Sequence, residues 1–147
     1  MEIKALNIDQ IKQIRHEVLW PHLSSSDDCV LGPDNFKATF HIGAIENHQV
    51  IGTATFIIEL NKEFDTKSQF RLRAMATLPE VRGRNVGRGI VEFALEKLKA
   101  MQVDLLWCDA RLKATGFYEK MGFNSVGDIY EVPKIGPHKL MYYTLNE

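Results

Sequence analysis

The sequence has little of what marks membrane, secreted or nucleic-acid-binding proteins. No stretch approaches the roughly 20 apolar residues that a membrane-spanning helix needs, and residues 1–4 contain no apolar signal core. The two cysteines, Cys29 and Cys108, match neither a CxxC pair nor a disulfide framework. With 18 basic and 19 acidic residues, the chain has no positive excess for the phosphates of a nucleic acid. We therefore expect a cytoplasmic protein that binds neither membrane nor nucleic acid.

Regularly spaced metal ligands are also missing. The histidines are His16, His22, His41, His48 and His138. None stands at the spacing of a metal site, so we expect no metal. The 147 residues are 45% hydrophobic and 25% charged, which is the balance of an ordinary globular protein. We expect a single domain over residues 1–147 that buries its own core.

The periodicity of apolar residues predicts an α/β (α+β) fold. Strands are expected over residues 3–6, 40–45, 50–58, 70–78, 103–108, 123–130 and 139–145. Helices are expected from Asp9, as the N-cap, to the turn before Pro21, over residues 86–101 and over residues 111–121. Residues 21–37 are expected to form a loop with at most one irregular turn. The resulting order indicates a mixed, mostly antiparallel sheet flanked by helices.

Residues 78–89 read LPEVRGRNVGRG and lie between a predicted strand and a predicted helix. Glycine lets backbone amides approach a ligand closely, and the first amides of a helix lack internal partners and favour an anion. The segment has no Gly-Lys-Ser/Thr of a Walker loop, and Glu92 occupies the third glycine position of a dinucleotide fingerprint. Two readings stay open, a site for another phosphate ligand and a plain glycine-rich surface turn.

A second segment, residues 110–123, reads ARLKATGFYEKMGF. In order and spacing, the two segments resemble the acyl-CoA loop Arg/Gln-x-x-Gly-x-Gly/Ala and the Ala-x-x-x-Phe-Tyr-Glu-Lys-x-Gly-Phe segment of the GNAT superfamily of N-acetyltransferases. The resemblance covers roughly residues 38–145. Residues 135–141 are also similar to the Pro-His-x-x-Met signature of one GNAT subgroup. The fold that this resemblance implies agrees with the predicted order of elements.

The acyl-CoA loop fits the family pattern in two registers. One matches the pattern literally from Arg84. In the other, Arg82 takes the first place and Asn85 replaces the first glycine. We favour the second register because it puts Val86 and Ile90 on the family's apolar positions. Asparagine tolerates the left-handed backbone better than most residues, so the replacement is physically mild.

The resemblance implies acetyl-CoA as the cosubstrate. The expected cofactor-binding residues are Met75, Ala76, Thr77, Arg82, Gly83, Arg84, Asn85, Val86, Gly87, Arg88, Gly89 and Tyr118. The first three would act through backbone groups on the pantetheine and the thioester. Tyr118 takes the family's general-acid role, protonating the leaving thiolate. A phenol has a pKa of about 10 and a thiol of about 8.5, so the phenol needs no prior ionisation for this task.

The general base is open among Glu59, His41 and His138, with a bound water chain as a further option. The base must take a proton from the acceptor, whose pKa is about 10.4 for a lysine-like amine. We name His138, because histidine titrates near neutrality and this one is expected in a turn near the cleft. Asp109 falls where many relatives carry asparagine, and it either caps the following helix or contacts the cofactor.

These residues predict an N-acetyltransferase that moves an acetyl group to the primary amine of a small molecule or peptide. A non-catalytic acyl-CoA sensor or protein-interaction module is the alternative, and a structural or nucleotide-binding α/β protein is a third reading. The acceptor is not identified. The loop acids Asp27, Asp28 and Asp34 would suit a cationic amine, but a run of loop acids is usually solvated surface. A homodimer formed through the late strands is a further expectation.

Overall fold

The computed structural model describes residues 1–146 and contains, in that range, three α-helices and seven strands. The strands are β1 (Glu2–Leu6), β2 (Phe40–Glu46), β3 (Gln49–Ile58), β4 (Gln69–Thr77), β5 (Leu105–Arg111), β6 (Asn124–Val132) and β7 (Gly136–Thr144). The helices are α1 (Ile8–Val18), α2 (Val86–Ala100) and α3 (Thr115–Lys120). The strand order is β1-β2-β3-β4-β5-β7-β6, with β4 and β5 parallel and the pairs β1–β2, β2–β3, β5–β7 and β6–β7 antiparallel. The predicted α/β class and mostly antiparallel sheet are confirmed.

The chain divides into two compact units, and both β4 and α2 run through the division. The first unit comprises Met1–Ile58 and Leu72–Lys97, and the second comprises Glu59–Arg71 and the chain from Leu98 onward. The expectation of one domain over residues 1–147 stays a prediction. In the described range no helix combines the length and the hydrophobicity that crossing a bilayer requires.

In the first unit, α1 and α2 pack on opposite faces of the sheet. A Cβ on Gly52 of β3 would lie 2.7 Å from Val86 Cγ1 and 3.0 Å from Ile90 Cδ1, so glycine permits the close approach of α2. On the other face, Arg15 of α1 donates to the Thr55 hydroxyl at 2.7 Å. Successive strand residues face opposite sides, and Gly52 and Thr55 are an odd number of positions apart. The close approach of the start of α2 to β3 therefore depends on the glycine at position 52.

A buried ion pair ties α1 to the loop that follows it. Arg15 has no exposed surface, and its two terminal nitrogens lie 2.7 and 2.8 Å from the carboxylate oxygens of Asp34. Burial alone would raise the pKa of Asp34, but hydrogen bonds from Arg15 and from the Leu31 amide outweigh it, so the pKa lies below its usual value. Asp34 is therefore a structural partner of Arg15, and its expected place among acceptor-binding loop acids is wrong.

His41 on β2 completes this buried cluster. Its Nε2 lies 3.1 Å from the Asp34 carbonyl oxygen, which can only accept, so Nε2 carries the proton and Nδ1 accepts from Thr55 at 2.8 Å. Burial is the main cause that lowers the pKa of His41, and Arg15 adds to the effect. Both ring nitrogens are occupied by neighbours in the core. We therefore withdraw His41 as a base candidate.

In the second unit, β7 lies between β5 and β6. One face of this part of the sheet carries Leu105 and Trp107 of β5 and Leu140 of β7, with Phe64, Val126, Tyr130 and Tyr142 packed against them. The opposite face carries Cys108 and Met141, which are both buried. The two faces of β5 and β7 therefore carry different side chains. A candidate catalytic residue can be assigned to one face or the other by the neighbours that it contacts.

Three expectations about local structure need correction. The N-cap of α1 is Asn7, not Asp9, because the Asn7 side chain accepts from the Gln10 amide at 3.0 Å while the Gln10 side chain accepts from the Asn7 amide. Residues 21–37 contain two 3-10 turns, Ser26–Asp28 and Gly32–Asn35, rather than one irregular turn. The third helix is shorter than expected, because Leu112–Ala114 forms a 3-10 turn before α3 begins.

Replacing Asp34 by asparagine tests the buried ion pair. Asp34→Asn leaves the guanidinium of Arg15 buried without its counter-charge, so we expect the free energy of unfolding in urea to fall by about 3–5 kcal/mol. Asp27→Asn is the matched control, because Asp27 pairs with Lys12 at the surface and its loss should leave the urea midpoint unchanged within error. Equal midpoints for the two variants would contradict the structural role of Asp34.

The lowered pKa of His41 predicts acid sensitivity. In the unfolded chain His41 titrates near its usual value of 6.5, whereas the folded protein binds that proton only at lower pH. Stability from this group is therefore complete above about pH 6.5 and is lost as the pH falls toward the folded pKa. Urea unfolding measured between pH 7.5 and pH 5 should show this slope in the wild type and in His22→Gln, but a shallower one in His41→Gln.

Candidate active site

The turn before α2 contains two residues in the left-handed region. Gly83 has φ +84° and Asn85 has φ +63°, on either side of Arg84. Alternating backbone hand turns successive amides toward one side and forms an anion-binding concavity. The Asn85 carbonyl accepts the first intrahelical bond, from Gly89, so the earlier amides of α2 have no partner inside the helix. The backbone geometry therefore suits a phosphate group.

The three arginines of this turn differ in their partners. Arg84 Nη2 lies 2.8 Å from Glu46 Oε2, and Arg88 Nε lies 2.6 Å from Oε1 of Glu92. Arg82 donates to the Thr77 carbonyl at 3.3 Å and pairs with no carboxylate in residues 1–146. Exposed ion pairs are weak, so a phosphate can displace them. Arg82 is nevertheless the cation of this turn whose charge is not already balanced by an acid.

The two residues that the favoured register places on apolar positions are buried, as this register requires. Val86 and Ile90, which this register places on apolar positions, are 3% and 0% exposed. Asn85 stands where the family has its first glycine, and it adopts the left-handed conformation that glycine would take most easily. Arg82 then occupies the first position of the pattern, in agreement with its uncompensated charge.

Strand β4 carries an irregularity that the sequence did not reveal. Ala74 has φ +53°, in a region that L-residues other than Gly, Asn and Asp seldom adopt, and it lies in the middle of the strand. It immediately precedes Met75, Ala76 and Thr77, whose backbone groups we expect to contact the thioester. Strained backbone of this kind persists where the surroundings enforce it, often beside a ligand. No residue-type preference marks the position, because alanine is not a turn residue.

Tyr118 of α3 is held in an aromatic cluster. Its ring is 5% exposed and lies 5.0 Å from the ring of Phe117 and 5.2 Å from that of Phe123. Burial, with a smaller effect of Cys108, raises the pKa of Tyr118 well above its usual value. In residues 1–146 no hydrogen bond engages its hydroxyl. The group is therefore protonated at neutral pH and free to donate its proton to a ligand.

A polar network on the other face of the second unit surrounds Arg71 of β4. Arg71 Nη2 lies 2.7 Å from Asp109 Oδ2, and Arg71 Nη1 lies 3.1 Å from Glu59 Oε2. The guanidinium also stacks over the ring of Trp107 at 4.9 Å. The Tyr130 hydroxyl donates to the other oxygen of Asp109. Burial and this hydrogen bond raise the pKa of Tyr130, which keeps its proton in place.

This network changes the interpretation of two residues. Asp109 was expected to cap a helix or to contact the cofactor, but it serves as the shared acceptor of Arg71 and Tyr130. Glu59 follows β3 and is committed to Arg71, which makes it a weaker candidate for the general base. Sequence reasoning missed the network because its members come from four separate segments. The alternation of Trp107 and Asp109 on one strand was the available signal.

His138 lies on strand β7 and not in a turn, which corrects the expected placement. It is 6% exposed, and its Nδ1 lies 2.9 Å from the Gly136 carbonyl oxygen. A carbonyl only accepts, so Nδ1 carries the proton and Nε2 presents a lone pair. No side chain or backbone donor in the described chain engages Nε2. His138 is therefore a histidine of fixed tautomer with its basic nitrogen unused.

Tyr118 and His138 lie on opposite faces of the sheet in the second unit. The rings of Tyr118 and Phe123 are in contact, and Phe123 packs on Tyr143 at 5.5 Å. His138 shares parity along β7 with Tyr142, the immediate neighbour of Tyr143. The two predicted catalytic groups are thus not brought into contact with each other. In the described residues no group of three or more His, Cys, Asp or Glu side chains could hold a metal ion.

Comparison with known proteins identifies the class. The profile of the acetyltransferase (GNAT) family matches residues 6–123. Over 145 residues, which are 99% of this chain and 97% of the relative, the sequence is 33% identical to the uncharacterized N-acetyltransferase YitI of Bacillus subtilis (strain 168). The chain belongs to the GNAT acetyltransferase family. It is an acyl-CoA-dependent acyltransferase, and acetyl-CoA is the cosubstrate of this family.

Solved structures agree with this fold. Escherichia coli ElaA is similar with a TM-score of 0.75 and 21% identity, covering 96% of this chain and 97% of that one. An aminoglycoside 6'-N-acetyltransferase complexed with coenzyme A has a TM-score of 0.79 and 14% identity, covering 100% of this chain and 98% of that one. At these identities the likeness concerns the fold.

A negative charge at the start of α2 tests the phosphate-binding turn. In Gly87→Glu a carboxylate replaces hydrogen beside the free amides, so we expect acetyl-CoA affinity to fall at least about tenfold, or roughly 1.4 kcal/mol. Gly32→Glu is the control, because a Cβ at Gly32 meets nothing within 4 Å and the added charge lies on another segment. Calorimetric titration with acetyl-CoA measures both. Equal affinities for the two variants would remove α2 from the cofactor site.

Proposed function

We propose that this chain is an N-acetyltransferase that moves the acetyl group of acetyl-CoA directly to the primary amine of a small molecule or peptide. Tyr118 is the general acid for the thiolate, and His138 is the general base for the amine. The observation that carries the proposal is the state of Tyr118, a buried phenol with an uncommitted hydroxyl. The ring is packed against two aromatic neighbours and no group in residues 1–146 holds the hydroxyl, so its proton is available to a ligand.

The proposed acid suits the reaction. Acetyl-CoA supplies an activated carbonyl and a thiolate leaving group, whose thiol has a pKa of about 8.5. A phenol of raised pKa stays protonated over the whole working range, so every enzyme molecule holds the acid form. The aromatic ring contacts on two sides limit the directions in which the hydroxyl can point. Tyr118 is thereby pre-organised for one proton transfer.

The proposed base acts on a different atom. His138 has a fixed tautomer and an uncommitted Nε2, which can take a proton from the acceptor ammonium, so that the neutral amine attacks the carbonyl carbon. The amine nitrogen and the sulfur are both bound to the carbonyl carbon in the tetrahedral intermediate. Each catalytic group therefore acts on its own atom, and the proposal requires no contact between Tyr118 and His138. Glu59 is disfavoured by its ion pair with Arg71.

The residues proposed to hold acetyl-CoA fit a phosphate-bearing ligand. The left-handed Gly83 and Asn85 and the uncompensated Arg82 supply amides and charge. Arg84, Arg88 and the start of α2 from Val86 to Gly89 complete the set that we propose. Backbone groups of Met75, Ala76 and Thr77 are proposed for the pantetheine and the thioester. One donor at a developing oxyanion is worth about 2.7–4 kcal/mol.

The proposal includes a cellular compartment and an oligomeric state. Cys29 and Cys108 are free and buried, which agrees with a reducing compartment such as the cytoplasm. Strand β6 is the last in the sheet order, and Ile129 on it is 55% exposed. An unpaired strand edge of this kind can pair with a second copy, and we retain the homodimer as part of the proposal.

Removal of the Tyr118 hydroxyl is the decisive test. Tyr118→Phe keeps the ring contacts but loses the proton, so the turnover number should fall by about 10²–10⁴-fold, as expected for a general acid. Tyr143→Phe removes a hydroxyl from the same aromatic cluster and should keep the wild-type rate. The assay follows CoA release from acetyl-CoA with a panel of primary amines, and a thiol reagent is usable because both cysteines are buried.

Two outcomes would count against the proposal. An unchanged rate in Tyr118→Phe would remove this residue from the mechanism while leaving the activity standing. Saturable acetyl-CoA binding without CoA release for any amine of the panel would favour the non-catalytic sensor. Calorimetry on the same preparation separates an inactive enzyme from one that has not folded.

A further inference from the structure

Tyr130 is opposite His138 because strand β6 contains a bulge. Val126 pairs with Leu140, and a regular antiparallel register would then place Asp128 opposite His138. The register shifts between Val126 and Tyr130, so that Tyr130 takes this position instead. Gly127, inside the shift, has φ +78°, and its carbonyl accepts from Lys139. The bulge therefore replaces a carboxylate by a phenol as the cross-strand neighbour of the histidine.

Tyr130 and His138 make a stacked pair. Their ring centroids are 6.1 Å apart, and the ring planes are inclined by 28°. Directly opposed side chains stabilise one another across strands, and aromatic pairs are among the favourable combinations. The contact restricts the rotation of the imidazole ring, whereas the Gly136 carbonyl holds its Nδ1 proton. Together, these two contacts keep Nε2 pointing in one direction.

The position of the Tyr130 ring is fixed by a hydrogen bond to a charged group. Its hydroxyl donates to one oxygen of Asp109, and the other oxygen of that carboxylate is held by Arg71 at 2.7 Å. Arg71 is held in turn by Glu59 and by the face of Trp107, whose Nε1 donates to the Glu59 carbonyl at 2.9 Å. Arg71 and the imidazole are thus connected through two hydrogen bonds and one ring contact, all inside the second unit.

We propose that Arg71, Asp109 and Tyr130 are positioning residues, which orient His138 so that its Nε2 can accept the proton of the acceptor amine. The proposal rests on the proposed function, since it assigns these residues to the base of that reaction. Arg71 anchors the carboxylate, Asp109 holds the phenol, and Tyr130 holds the imidazole. None of them exchanges a proton with the substrate. The bulge at Gly127 places Tyr130 opposite His138, where it can fill this role.

A spectroscopic experiment tests the orientation without any acceptor. Nitrogen-15 NMR of the histidine side chains reports which ring nitrogen is protonated, and the His138 signals are assigned with His138→Gln. In the wild type at pH 8, His138 should be the Nδ1-protonated tautomer. Tyr130→Phe and Asp109→Asn keep the aromatic ring but remove or weaken the hydrogen bond that fixes it. The stack on His138 should then loosen, and a part of the population should shift to Nε2 protonation, the form that free imidazole prefers.

The matched control removes a phenol from the same sheet face. Tyr142 packs with Phe64 at 5.2 Å, and its hydroxyl has no partner in the part of the chain that the structure describes. Tyr142→Phe should therefore keep the wild-type tautomer of His138. Thermal unfolding of each variant separates a general loss of stability, which would not select one tautomer, from the loss of orientation.

Kinetics test the consequence for catalysis. With an amine from the panel that the wild type acetylates, Tyr130→Phe should lower kcat about tenfold, a part of the 10²–10⁴-fold that a general base contributes. The KM for acetyl-CoA should not change, because none of the three residues belongs to the proposed cofactor turn. Tyr142→Phe should keep both constants.

Failure of the positioning proposal can be distinguished from failure of the proposed acetyltransferase function. Wild-type tautomer and wild-type kcat in Tyr130→Phe would overturn the positioning proposal while leaving the acetyltransferase intact. If no amine is acetylated, the NMR measurement still decides whether Tyr130 orients His138. An unchanged kcat in His138→Gln would remove the base, and with it the purpose of the network.

Discussion

The buried pair of Arg15 and Asp34 is the interaction on which the first unit depends. A guanidinium with no exposed surface is tolerated only when its charge and most of its donors have partners. The carboxylate, the Cys29 carbonyl and the Thr55 hydroxyl provide them, and only Nε lacks a partner. Helix α1, the loop after it and strand β3 are therefore joined at one point, and none of them can shift without exposing an unpaired charge to the core.

The second unit repeats this logic at lower burial. Arg71 also gathers two acids and leaves its Nε without a partner, but its side chain keeps 21% of its exposure. The pair is thus accessible to solvent, and it costs less to desolvate. Arg15 thus closes a core, whereas Arg71 arranges polar groups on a partly exposed face of the sheet.

Much of the fold could be predicted from the sequence because its signals are local. The strands expected over residues 40–45 and 50–58 form a hairpin, and its turn residues Asn47 and His48 have φ +52° and +64°. The start of a helix at residue 86 was also expected, and α2 begins there. The two motifs identified the family for the same reason, since each is a continuous segment with its own spacing.

The rest required the tertiary structure. Asp109 and Arg71 are 38 positions apart, and no residue preference relates them. The left-handed Ala74 has no composition signal, and the partner of His138 depends on how many residues β6 gains in its bulge. For Asn7 the signal was present, but Asp9 is an equally good capping residue by type. The competition was decided by Gln10, which completes a capping box with Asn7 alone.

The bulge in β6 also affects how this strand is aligned with its relatives. Because the shift amounts to two residues, every side chain keeps its face, so hydrophobic patterning looks the same with and without it. A gap-free alignment would therefore match Asp128 with residues that stand beside the histidine in a regular strand. Homologues have to be compared here by counting back from the β6–β7 turn, where Val132 pairs with Gly136, and not forward from Asn124.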